Sequence, residues 1–213
     1  MRFARLFVGM LAVLLMLVVP VSAQDMPPLP GDLVVGDLNA PRGVAFDAAG
    51  NLYIAVAGSG GDAVIEAPSM EDPTTTMLVN AGLSGEILSV APDGTSSVWA
   101  GFFPSYAMPT ETIGLYRAIP AGDSLWVVYS SAGPNAFWGS TIAELDAATH
   151  MTKRVINLAG FEAANNPDGN EIDSNVSDIA WGADGTMYIT DAGANALLSW
   201  TADAGLAVVA AWP

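Results

Sequence analysis

The stretch IAWGADGTMYIT at residues 179–190 repeats the pattern of VAFDAAGNLYIA at residues 44–55, with Tyr188 aligned on Tyr53. In both copies, two short runs rich in Val, Ile, Ala and aromatic residues flank a turn that contains a glycine. Such runs are typical of β-hairpins, because glycine supplies the positive φ that a tight turn requires. Each stretch is therefore predicted to form a pair of antiparallel strands.

A third copy, LYRAIPAGDSLWVVYSSAG at residues 115–133, lies between these two, and Trp126 takes the place of the tyrosines. Each copy is followed by a second hairpin, beginning near Glu86, Ser140 and Ala196. A unit of four antiparallel strands thus recurs along the chain, which is the signature of β-propeller blades. We predict an all-β fold, a β-propeller with about three blades at about 37–103, 104–160 and 173–213.

The spacing of these units is longer than the roughly 40 to 50 residues usual for propeller blades. Two segments rich in Gly, Pro, Thr and Ser, at 59–83 and 101–113, are interpreted as loop insertions that account for the difference. Three blades are half of a six-bladed ring, and known rings have about four to eight blades. We therefore expect that the chain is part of a longer protein or, as the alternative, that two copies close one ring as a homodimer.

Residues 1–23 have the features of a Sec signal peptide. Arg2 and Arg5 precede an apolar run that is shorter than the roughly 18 residues of a membrane span, and small residues lead to a cleavage point after Ala23. Residues 24–36 then form an N-terminal linker or first strand. We predict a secreted or periplasmic protein with no membrane association after cleavage. The sequence has no cysteine, so the core must hold without disulfides.

The composition is strongly acidic, with 22 Asp and Glu residues against 6 Lys and Arg and a formal net charge of −16. A surface of this sign repels nucleic acid and anionic lipid headgroups, so neither is expected as a partner. It suits cations and neutral or cationic ligands, and it also favours solubility alone. A small molecule or a protein remains the expected kind of ligand.

Three stretches carry a family resemblance: LNAPRGVAFDAAGNLYIAVAG at 38–58, GEILSVAPDGTSSVWAGF at 85–102 and FEAANNPDGNEIDSNVSDIAWGADGTMYITDAGANALLSW at 161–200. On these, the chain resembles the ScyD/ScyE family of exported β-propellers, relatives of the NHL and gluconolactonase-like six-bladed group. The resemblance implies a propeller fold and export, and it transfers no defined activity. One departure is Val56, which stands where the last unit has Asp191.

A ligand-binding rim is expected where the chain enters the first strand and leaves the second strand of each unit, since these segments meet on one face of a propeller. In the first and last units they contribute Arg42, Asp62 and Asn195. Tyr106 and Trp138 lie in segments outside the repeated hairpins, where packing explains an aromatic side chain less well, and they are added to the rim.

The same face is predicted to gather oxygen ligands from the last unit, namely Glu171, Asp173, Asn175 and Asp191. Carboxylate and amide oxygens are what Ca²⁺ needs, and the gluconolactonase-type relatives hold a metal in this way, so the resemblance permits a calcium site here. The alternative is that these side chains cap turns by accepting backbone N–H bonds. Both interpretations stay open at this point.

The sequence offers no catalytic nucleophile with a matching base. His150 is the single histidine and is placed in a solvated turn, and no Gly-x-Ser-x-Gly elbow is present. We therefore predict a module that binds a small molecule or a protein. The alternative is a calcium-dependent lactonase or hydrolase whose nucleophile is a metal-bound water. A third interpretation is an assembly module of half-rings.

Overall fold

The chain folds into antiparallel β-sheets in the residues that the computed structural model describes, 31–69, 74–130 and 138–212. This confirms the predicted all-β class. The predicted signal peptide, 1–23, lies outside the described residues. Within them, no helix is both long enough and apolar enough to cross a bilayer.

The first sheet is the largest and has the strand order β1-β2-β4-β5-β6, with β3 paired to β4. Its strands are β1 (Pro41–Phe46), β2 (Leu52–Val56), β3 (Ala63–Pro68), β4 (Thr76–Val90), β5 (Ser96–Ala107) and β6 (Thr112–Ile113). The predicted loop insertions at 59–83 and 101–113 are therefore partly wrong. They contain β3, the first part of the 15-residue β4, the end of β5 and all of β6, and apolar residues such as Ile65 and Val79 pair across β3 and β4.

The second and third sheets are four-stranded and follow the chain in simple order. The second consists of β7 (Leu115–Ala121), β8 (Ser124–Tyr129), β9 (Thr141–Asp146) and β10 (Thr152–Asn157). The third consists of β11 (Val176–Trp181), β12 (Met187–Asp191), β13 (Ala196–Thr201) and β14 (Gly205–Ala211). The hairpins predicted from the repeat are confirmed, and Gly50 and Gly185 have the expected positive φ, 85° and 82°.

The apolar core lies between successive sheets. Side chains alternate between the two faces of a strand, so Leu125, Val127 and Tyr129 of β8 join a cluster with the first sheet, whereas Trp126 and Val128 join one with the third. The opposite face of the first sheet carries a smaller cluster that includes Val35 and Leu38 from the segment before β1. The second sheet is thus covered on both faces.

A short helix, α1 (Leu158–Asn165), joins the second sheet to the third. The side chain of Asn157 caps its first turn by accepting the Gly160 N–H at 2.8 Å, and Asn166 ends it in the left-handed conformation. Leu158 and Glu162 are its buried residues. The repeat gave no indication of this helix, which carries the chain to the start of β11.

Candidate functional site

An open cavity of about 490 Å³ lies where the first strands of the three sheets meet. Residues from β1, β7 and β11 line it together: Pro41, Arg42, Gly43, Tyr116, Arg117, Ser177 and Asp178. A second cavity of about 460 Å³ shares Arg42 and Pro41 with the first and extends to the segment from Met108 to Thr112. Arg42 therefore borders both.

The cavity is formed by the same irregularity in each of the three first strands. The register with the second strand shifts between Pro41 and Val44 in β1, between Leu115 and Arg117 in β7, and between Val176 and Asp178 in β11. In each case the first strand has one residue more than its partner, as in a β-bulge. Bulges redirect side chains and are frequent beside binding sites. Each of the three first strands therefore directs residues at its bulge towards the same cavity.

An ion pair crosses this cavity from the second sheet to the third. Arg117 donates from Nε to Oδ1 and from Nη2 to Oδ2 of Asp178, both at 3.0 Å. The paired geometry fixes both planes, which makes the contact more specific than a single bond. Arg42, from the first sheet, donates from Nη2 to the carbonyl oxygen of Thr112. No carboxylate of the described residues forms an ion pair with Arg42.

The cavity is cationic within a very acidic protein. Its two arginines face one carboxylate, Asp178, whereas the chain as a whole has a net charge of −16. A guanidinium presents a planar set of donors that matches carboxylate or phosphate oxygens. The arrangement can therefore hold a small anionic group at Arg42, while the Arg117 and Asp178 pair supplies fixed donors and acceptors beside it.

A separate group of polar residues lies between α1, the start of β11 and the end of β12. Asp191 is 3% exposed and accepts three hydrogen bonds: from Ser174 Oγ at 2.6 Å, from the Asn175 N–H at 2.7 Å and from the Ala194 N–H at 3.2 Å. The side-chain oxygen of Asn175 accepts a bond from Ser130 Oγ at 2.7 Å. Asp191 thus acts as a turn-capping carboxylate, one of the two roles that the sequence left open.

The remaining acidic side chains of this group differ in their surroundings. Asn195 donates to Asp168 at 2.7 Å, and this bond, with those from Asn170, lowers the pKa of Asp168. Partial desolvation and the charges of Asp191 and Glu171 instead raise the pKa of Asp173. Among the described residues, no three carboxylate or imidazole groups are arranged to hold one metal ion. Glu171, Asp173 and Asp191 are therefore not gathered into one group of this kind, and a calcium site that also uses Asn175 stays a prediction.

The other predicted rim residues lie away from the cavity. Asp62 is exposed just before β3, and Tyr106 is partly buried in β5 against the core between the first two sheets. Trp138 packs edge-on against Phe103 and Tyr129, with ring centroids 6.2 and 6.3 Å apart. Of the predicted rim, only Arg42 lines the cavity.

Sequence reasoning missed Arg117, Asp178 and Glu162. Arg117 and Asp178 hold the same place in successive repeats. Their partners in the second strand, Val128 and Thr190, both lie two residues after the repeated aromatic, Trp126 or Tyr188. A comparison of the copies position by position would have found them. Glu162 is in the helix that follows the second sheet, outside the repeated hairpins, so the repeat gave no signal for it.

Comparisons with known proteins do not add to this description: no protein-family model matches the chain, and no curated protein does.

Proposed function

We propose that this chain is a binding module that takes up a small molecule bearing an anionic group, such as a carboxylate, in the cavity between the three first strands. The observation that carries the proposal is the threefold bulge, which brings Arg42 and Arg117 together beside Asp178. Among the described residues, Arg42 forms a hydrogen bond with a backbone carbonyl and no ion pair, so its charge is available to a ligand.

The charge distribution supports an anionic group on the ligand. The chain has six basic residues, and two of them line this one cavity. The overall negative field would repel a highly charged anion at long range, which favours a ligand with a single anionic group and a larger neutral part. The volume of about 490 Å³ is within the range of roughly 300–1,000 Å³ typical of small-molecule sites.

We further propose that the three sheets are successive blades of a β-propeller, as the resemblance to the ScyD/ScyE family implies. The support is that consecutive strands are neighbours throughout the second and third sheets, that the first sheet departs from this only at β3, and that the three first strands border one cavity. On this proposal the cavity lies near the axis of the ring. Export by the predicted signal peptide remains part of the proposal, and mass measurement of the secreted chain, expected to begin at Gln24, tests it.

The binding test uses thermal unfolding of the purified chain with acetate, citrate, gluconate and inorganic phosphate, each at about 10 mM. At least one organic carboxylate is expected to raise the unfolding temperature, because a ligand that binds only the folded state stabilises it. Arg42→Gln should abolish this shift. Arg154→Gln, which removes the same charge from an arginine paired with Glu144 on the second sheet, should retain it.

The proposal is wrong if no anion stabilises the wild-type chain or if Arg42→Gln and the wild type respond alike. The same samples are assayed for hydrolysis of a sugar lactone. Turnover by the wild type would replace the binding module with the hydrolase alternative, whereas stabilisation without turnover supports binding alone.

A further inference from the structure

The strand β3 lies at an exposed edge of the first sheet, and none of its residues lines either cavity. It pairs with the first part of β4 in one continuous antiparallel register, and no other strand of the described residues pairs with it. An edge strand presents unpaired backbone N–H and C=O groups, and proteins usually protect such an edge with a bulge, a lysine or a covering segment. β3 has neither a register shift nor a lysine, so it is open to pairing with a further strand.

The backbone groups that face outwards from β3 belong to Val64 and Glu66. Just after β3, the Ser69 N–H donates to the carbonyl oxygen of Thr75 at 2.9 Å, so these two residues form a hydrogen-bonded pair. Hydrogen-bonded and non-hydrogen-bonded pairs alternate along an antiparallel ladder. The N–H and C=O groups of Ile65 therefore face β4, whereas those of Val64 and Glu66 face away from it.

The side chains along this edge are exposed and mostly apolar. Val64 is 59% exposed, Leu78, its diagonal neighbour in β4, is 61% exposed, and Ile65, on the other face of the sheet, is 43% exposed. Glu66 shares a face with Val64, is exposed and forms no ion pair with the described residues. A strand added at this edge would therefore meet an apolar side chain at one position and a carboxylate two residues away on the same face.

We propose that β3 binds an extended segment of a partner protein as an additional antiparallel strand, with a basic residue opposite Glu66 and an apolar residue opposite Val64. The orientation follows the first sheet, in which every described strand pair is antiparallel. In chain order the bound segment then reads basic, apolar, apolar, and its middle residue lies opposite Ile65. Backbone hydrogen bonds supply the affinity and alternate side chains the specificity, as in other complexes formed by strand addition.

Charge favours such a segment over a second copy of this chain. Antiparallel pairing of two β3 strands about Ile65 would place each Glu66 opposite a Val64, so neither carboxylate would gain a cation. The two carboxylates would instead lie on one face as diagonal neighbours, and two chains of net charge −16 would repel each other. A basic segment of a different protein removes both costs.

The charge test measures the fluorescence polarisation of a labelled probe peptide, Thr-Thr-Lys-Val-Val-Thr-Thr, as the purified chain is added. A second probe has Glu in place of Lys. The wild type should bind the Lys peptide at least about threefold more tightly than the Glu peptide, because opposite charges face each other across the two strands. Glu66→Lys should reverse this preference. Asp203→Lys makes the same change of charge in the exposed β13–β14 turn and should keep it.

The backbone test uses Val64→Pro, because proline has no N–H to donate to an added strand. The lost N–H faces away from β4, so the variant should keep the β3–β4 ladder and unfold near the wild-type temperature. It should bind the Lys peptide at least about tenfold more weakly than the wild type. Val64→Thr retains the N–H and the branched shape, and its affinity should stay within about threefold of the wild type.

Three results would overturn the proposal. The first is no binding of the Lys peptide by the wild type at about 1 mM protein. The second is equal binding by Val64→Pro and Val64→Thr, or a charge preference that Glu66→Lys leaves unchanged. The third is a dimer of the chain in sedimentation without peptide that Val64→Pro abolishes, since this would assign the edge to a second copy.

Discussion

Trp126 and Tyr188 hold the same place in the second and third sheets, yet their surroundings differ. Each is in the second strand, opposite Ile119 and Ala180 respectively. Trp126 is 7% exposed and packs edge-on against Trp181 and Trp200 of the third sheet, with ring centroids 5.8 Å away in both cases. Tyr188 is 38% exposed, on a face that the described residues leave open.

The two strands that carry these residues repeat the contrast. All six residues of β8 are buried, whereas burial alternates along β12. The repeat determines strand, register and turn in both sheets, but burial depends on whether a second layer packs on the outer face. Equivalent positions of the repeat therefore have the same secondary structure and register, but their side chains contribute different amounts to the free energy of unfolding.

The largest expected effect is the difference between truncating these two aromatic side chains. Trp126→Ala should reduce the free energy of unfolding by about 3–5 kcal/mol, because it leaves a cavity between two sheets. Tyr188→Ala should cost less than about 1 kcal/mol, because its ring has no covering layer among the described residues. Urea titration of both variants measures the difference. Equal losses would show that another layer covers Tyr188 in solution.

A second contrast is at the end of the same strands, where Tyr129 and Asp191 are equivalent. Asp191→Ala should cost about 2–3 kcal/mol, because three hydrogen-bond donors lose a charged acceptor at a buried position. Tyr129→Phe should change stability by less than about 0.5 kcal/mol, because the buried Tyr129 hydroxyl forms no hydrogen bond with the described residues. Chemical denaturation distinguishes them, and a large loss for Tyr129→Phe would reveal a partner for that hydroxyl.

The junction of the first and second sheets offers a third test. A Cβ added to Gly43 would lie 2.3 Å from Cδ of Arg117 and 2.7 Å from the carbonyl oxygen of Tyr116. Gly43→Ala should therefore cost about 1–3 kcal/mol and displace Arg117 from its pairing with Asp178. Gly101→Ala is the control, since its nearest new contact is 3.8 Å away. Stability equal to that of the control would mean that the two sheets are farther apart than described.

The smallest effect concerns the outer turns. In the second sheet, Asp146 accepts hydrogen bonds from Thr149 and forms an ion pair with Lys153. These contacts lower the pKa of Asp146 from 3.8 to about 2, and the bond from the Thr149 N–H has the largest effect. In the third sheet, the neutral hydroxyl of Thr201 caps the corresponding turn. A depressed pKa means that the stabilisation by Asp146 is present above pH 3.8 and is lost as pH falls towards 2.

Unfolding temperatures of the wild type and Asp146→Asn, compared between pH 6 and pH 2, measure this contribution. The wild type should be the more stable near pH 6, and the difference should diminish below about pH 4. A difference that stays constant with pH would indicate that Asp146 acts through its shape and not through its charge.

The fold was largely predictable from sequence because hairpins are local: glycine turns and alternating apolar residues determine them within about a dozen positions. The extension of the first sheet was not, since β3 ends in Pro68 and the first part of β4 contains Thr76, Asn80 and Gly82, which are residue types usual in loops. The helix α1 is too short to show a clear period. Burial of Glu162 could not be predicted, because it depends on how α1 packs between two sheets.

The site was predicted less well for a related reason. Arg42 was found because the repeat pointed to the segment that enters the first strand. Arg117 and Asp178 lie inside the strands, where side chains are expected to be structural, and only the shared bulge directs them into the cavity. Conversely, Asp191 and Asn175 have ligand-type oxygens, but local backbone and hydroxyl donors already occupy them.

The threefold bulge places some side chains at the cavity that take no part in the packing between the sheets. Arg42 and Ser177 border the cavity without belonging to any of the three apolar clusters, so exchanging them leaves the packing between sheets intact. Substitutions at partly exposed positions of this kind usually change stability by no more than about 0.5 kcal/mol. These two positions are therefore free to diversify over evolution, or in a designed library, whereas Gly43 and Tyr116 of the same lining are constrained by packing.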